Sequence, residues 1–177
     1  MGVVHDFNNA LEIWLARHGF ANIEVCEGED YQYYYTRHII QWGMITAEKT
    51  NCEFAQFFHE YGLNDTAFHI PTLSFLHELG HAVTWSNFTE EEIDLNTSAK
   101  EAITNSFDYW LLPIEFSATM WAIDWVNTHQ QEYEELQCIF ASFFDLIYND
   151  TDILTQINNW MDDVREGIIE DLFIIEE

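Results

Sequence analysis

Two histidines four residues apart, His77 and His81, flank Glu78 within a stretch that is otherwise apolar: Phe75, Leu76, Leu79, Ala82 and Val83. At helical pitch the two imidazoles share one face, a turn apart, and the apolar residues take up the other faces. A helix apolar on nearly all sides has to be buried. The polar groups it carries inward then need partners, since an unpaired amide or hydroxyl in an apolar interior costs about 2–7 kcal/mol and an unpaired charge more. The residue types point to a metal. Two imidazole nitrogens at this spacing reach one Zn²⁺ at about 2.0–2.1 Å. Glu78, rotated by about 100° from His77, is the wrong side chain for a third ligand and the right one to take a proton from a water on the metal. Gly80 costs about 1 kcal/mol of helix propensity relative to Ala, which predicts that another segment approaches closely there.

Two histidines leave a zinc centre one protein ligand short. A third histidine six residues on is excluded, because Asn87 stands at that position and Thr84 at the glycine before it; this disfavours metzincins. His129 falls at the end of a helix expected over 113–128, about 20 Å from the start of that helix. Two glutamates remain. Glu115 follows Pro113, a residue favoured at the first helical position. Ala118 and Ala122 share its face and form a small-residue stripe for which Gly80 is a counterpart, while Thr119 could hydrogen-bond a ligand histidine. Glu101, in Lys100-Glu101-Ala102-Ile103-Thr104-Asn105, is the alternative, set in polar surroundings. The sequence leaves the choice open.

The sequence His77-Glu78-Leu79-Gly80-His81, followed by Pro113-x-Glu115-x-x-Ala118-x-x-Trp121-Ala122, resembles the ImmA/IrrE-type zinc metallopeptidases and related small zincins of phages and mobile elements. The resemblance covers residues 71–85 and 109–126. It implies a zincin-like domain in which His77, His81 and Glu115 bind Zn²⁺ and Glu78 is the general base, and weakly a repressor-like substrate. The rival pairing with Glu101 is similar to thermolysin-like enzymes, with Asn105 where those carry an aspartate.

Composition bounds the remaining classes. The 177 residues include 32 acids and 5 bases, a formal charge of −27, yet 48% are hydrophobic and 16% aromatic, too many for a disordered chain. So acidic a protein disfavours nucleic-acid backbones and anionic membranes as partners and favours cations or a polypeptide with a basic surface, such as a DNA-binding regulator. Cys26, Cys52 and Cys138 are odd in number and lack a CxxC, so neither a disulfide framework nor a cysteine zinc site is expected. With no signal-like start and no apolar run of spanning length, the expected location is the cytoplasm. The expected function is therefore a zinc-dependent metalloprotease acting on a basic polypeptide. The alternative is a non-catalytic acidic binder that mimics DNA, of the anti-restriction or anti-CRISPR kind, and a third is a metal-dependent structural subunit.

The periodicities predict a helix-dominated α+β fold: a helix over 7–16 ending at Gly19, a hairpin or two strands within 22–42 with Gly28-Glu29-Asp30 between, and helices over 46–61 and 71–85. An exposed loop holding at most a short helix is expected over 86–106, then helices from Pro113 past Trp125, over 132–148 and over 152–169. One domain is expected over 1–177, with its core in 1–128 and an acidic helical extension over 129–177. Tyr33, Tyr34 and Tyr35 read as sheet residues on an edge suited to an extended peptide. His69 and Tyr109 are candidates for stabilising an oxyanion, with ordinary packing roles favoured for both.

Overall fold

The computed structural model describes residues 2–43, 48–63 and 69–148. The chain begins with α1 (Gly2–Arg17), whose Phe7, Leu11, Trp14 and Leu15 fall on one buried stripe. Gly19, at φ 92°, turns it into β1 (Glu24–Gly28), β2 (Gln32–Tyr34) and β3 (Ile39–Gly43). Next come α2 (Glu48–Glu60), α3 (Ile70–Thr84), α4 (Glu90–Lys100), α5 (Ser106–Trp110), α6 (Pro113–Thr128) and α7 (Gln130–Tyr148). The architecture is helix-dominated α+β, with a single three-stranded sheet among the described residues.

The sheet departs from a simple hairpin. β3 lies in the middle, parallel to β1 and antiparallel to β2, with Val25 and Tyr33 both opposite Ile40. The hairpin is β2–β3, turned at residues 35–38, where His38 adopts φ 54° and its Nδ1 meets the Tyr33 hydroxyl at 2.8 Å. The 28–30 segment crosses the end of β3 instead of folding back. Gly43 makes room for it: a Cβ there would stand 2.6 Å from the Glu29 carbonyl oxygen. β2 is left as an edge strand, and it lies against α3.

α3 runs through the centre. It packs chiefly on α6 and also touches β2, β3 and α7, and every residue from Thr72 to His81 is buried. Phe54, Phe57 and Phe58 of α2 close one side, as their spacing predicts. Two expectations need correction. Residues 86–106 are not mainly a loop: they hold the eleven-residue α4, and the short α5 begins at Ser106. α4 starts at a capping box, the Thr89 side chain accepting from the Glu92 N–H while Glu92 reaches back to the Thr89 N–H. Nor is 129 the edge of the core. Tyr133, Leu136, Phe140 and Phe143 of α7 are buried, Phe140 and Phe143 against Phe7 and Tyr133, Leu136 and Phe140 within the same cluster as Trp14 and Phe75. The helix expected over 152–169 lies outside the described residues. No described helix is long and apolar enough to cross a membrane.

Candidate metal centre

The site forms where α3 crosses α6. At Gly80 the helices are in backbone contact: an added Cβ would lie 2.4 Å from the Ala118 carbonyl oxygen. Ala118 and Ala122 are fully buried on the facing side. With small residues on both helices, the side chains flanking the crossing are brought within bonding distance.

Glu115 is one of them. Its Oε2 lies 3.2 Å from His77 Nε2 and 3.1 Å from His81 Nε2. On the far side of the His77 ring, Nδ1 meets Thr119 Oγ1 at 3.0 Å, so Thr119 holds the ring with Nε2 directed at the carboxylate. The two imidazoles stand nearly perpendicular, their centroids 4.7 Å apart, and the edge of Phe54 closes over His77 at 5.8 Å. His77, Glu78, His81 and Glu115 are all buried. Glu115 sits in the first turn of α6, two residues after Pro113, where the helix dipole favours a negative charge.

Protonation follows from this packing. Burial pushes Glu115 towards its neutral form, but hydrogen bonds and charge from His77 and His81 outweigh that and hold its carboxyl well below the usual range. Burial favours the neutral form of His81 too, here by opposing protonation. There the hydrogen bond to Glu115 and the charges of Glu78 and Glu115 win, and the pKa rises. Glu78 rises too: burial dominates, while the imidazoles of His81 and His77 and the Tyr33 backbone on β2 pull the other way.

The donor set suits a cation. Tetrahedral bonds of 2.0–2.1 Å imply ligand–ligand edges of about 3.3–3.4 Å, close to the spacing from Glu115 Oε2 to each imidazole nitrogen. One ligand atom from each of His77, Glu78 and His81 also lies within 4.8 Å of the others. His81 Nδ1, on the ring edge away from Glu115, is buried with no hydrogen-bond partner among the described residues.

Other candidates are placed elsewhere. Glu101 is the exposed C-cap of α4. His129, the C-cap of α6, stacks on Trp125. His69 caps the start of α3, its Nδ1 2.6 Å from Thr72 Oγ1 and about 12 Å along the helix from His77. Tyr109 does lie beside the site: burial first, and then the Glu115 carboxylate, pushes its hydroxyl pKa up. Lys100 Nζ donates to that hydroxyl at 3.1 Å and lies 4.7 Å from the ring centroid. Lys100 was missed by motif reasoning, although in so acidic a chain any lone base is a signal. Asn96 was missed as well: its buried Oδ1 accepts the Ile114 N–H at 3.2 Å and ties α4 to the start of α6.

Comparisons with protein-family models, curated proteins and solved structures find no match to this chain.

Proposed function

We propose that the protein is a zinc-dependent peptidase of zincin-like type, with His77, His81 and Glu115 as the metal ligands and Glu78 as the general base. The observation that carries this reading is the convergence of one carboxylate oxygen of Glu115 on both imidazole Nε2 atoms of the HExxH helix. Zn²⁺ held by such a set supplies a Lewis acid for a carbonyl oxygen and makes a bound water acidic near neutral pH.

The chain's own residues then divide the work. Thr119 fixes the His77 tautomer by occupying Nδ1. Glu78, buried beside the imidazoles with a raised pKa, takes a proton from the attacking water and returns it to the leaving amine, a transfer that works best when the base titrates near the working pH. The open edge of β2, a strand that lies against α3, suits an extended peptide added as a further strand. The formal charge of −27 favours a substrate with a basic surface.

The test is to purify the chain, quantify zinc by mass spectrometry and compare peptide cleavage by wild type and Glu78→Gln. Glu78→Gln should keep zinc and lose about 10²–10⁴-fold in kcat. Undiminished cleavage by the zinc-loaded variant overturns the mechanism.

A further inference from the structure

Trp85 continues the ligand face of α3. Its backbone N–H donates to the His81 carbonyl, extending the helix by one residue, so its side chain lies one turn, about 6 Å, beyond His81 on the same face. There it stacks on Tyr35, the residue immediately after edge strand β2, with ring centroids 4.5 Å apart and planes within 14°. Tyr35 is 51% exposed and Trp85 is half-buried. An aromatic pair open to solvent therefore stands at one end of the line formed by His77, His81 and the open edge of β2.

Acidic residues follow closely in the chain. Glu90 and Glu91, both exposed, open α4 five and six residues after Trp85. Two described basic side chains have other partners. Arg37 lies over Tyr34, whose hydroxyl donates to Gln41, so it is on the face of the sheet away from α3. Lys100 is at the other end of α4, against Tyr109. Open aromatic faces, with two exposed glutamates five and six residues on in the chain, favour a guanidinium or ammonium group, which such rings bind by about 0.5–2 kcal/mol.

We infer that Tyr35 and Trp85 form a substrate subsite that takes an arginine or lysine side chain of the bound polypeptide. This deepens the peptidase reading and rests on it: the general attraction of an acidic protein for a basic partner becomes a preference for one basic side chain near the cleavage point.

The test uses zinc-loaded Glu78→Gln protein, its metal content measured first, and blocked heptapeptides with arginine, norleucine, phenylalanine or glutamate at the centre. Binding is followed by calorimetry, and the same peptides are offered to the wild type for cleavage. The arginine peptide should bind tightest. Tyr35→Ala and Trp85→Ala should each weaken it by about 3- to 30-fold and leave the norleucine peptide unchanged, while Tyr35→Phe restores arginine binding. Equal binding of arginine and norleucine peptides, preference for phenylalanine, or an arginine preference untouched by Tyr35→Ala overturns the subsite. If that happens while the wild type still cleaves the peptides, the peptidase reading survives alone. Zinc-loaded protein that neither binds nor cleaves any of them overturns both.

Discussion

The end of α4 and the start of α6 each offer a glutamate, Glu101 and Glu115, at a helix terminus, and the chain uses them in opposite ways. Glu101 caps a helix that carries three acids in its first turn and whose only buried residue is Asn96. Glu115 opens a helix whose Ala118, Thr119 and Ala122 are buried against α3. What distinguishes them is the company each keeps. Small residues let a second helix come close, and only a close helix brings a carboxylate to a pair of buried imidazoles.

The sharpest way to break this contrast is to remove each carboxylate in turn. Glu115→Gln should weaken zinc binding by more than about 100-fold, exceeding the loss typical of a supporting residue, whereas Glu101→Gln should bind zinc as wild type does in a chelator competition. Equal effects would contradict the assignment. Next is the crossing itself. Gly80→Ala forces a Cβ into the Ala118 carbonyl and should cost about 1–3 kcal/mol in urea denaturation. Ser98→Ala on the exposed side of α4 should stay within about 0.5 kcal/mol.

Thr119→Val keeps the shape of the side chain but leaves His77 Nδ1 without its partner. It should weaken zinc binding by about 10- to 100-fold, while the same change at exposed Thr97 should leave affinity unchanged. The smallest expected effect is in pH. In the metal-free protein Glu115 lies below its ordinary 4.5, so its contribution to stability is present above pH 4.5 and lost as pH falls through the lowered value. His81 lies above its ordinary 6.5, so its contribution is complete below pH 6.5 and lost as pH rises through the raised value. The difference in melting temperature between wild type and Glu115→Gln should therefore peak between pH 4.5 and 6.5. With zinc, which needs neutral imidazoles, stability should instead increase as pH rises from that window towards neutrality.

Much of the α3–α6 crossing is legible in the sequence because local patterns determine it. The histidine spacing, the glycine without an evident helical purpose and the alanine stripe each point to the same contact, and Thr119 falls where it can hydrogen-bond His77. The parallel pairing of β1 with β3 is a different matter. It depends on which strands meet across the sheet, and the Gly28-Glu29-Asp30 turn signal reads equally well as a hairpin. α4 was hidden because its helix rests on a capping box and on one buried asparagine, with no apolar stripe to register. Lys100 stands out in the sequence as a rare base, but its place over Tyr109 follows from the fold.

The most direct measurement is anomalous diffraction at the zinc edge from crystals grown with zinc. Zinc held by the proposed ligands gives one strong peak about 2.0–2.2 Å from His77 Nε2, His81 Nε2 and a Glu115 carboxylate oxygen. A peak at other residues, or no peak while Glu115 still bridges the two imidazoles, would contradict that ligand set.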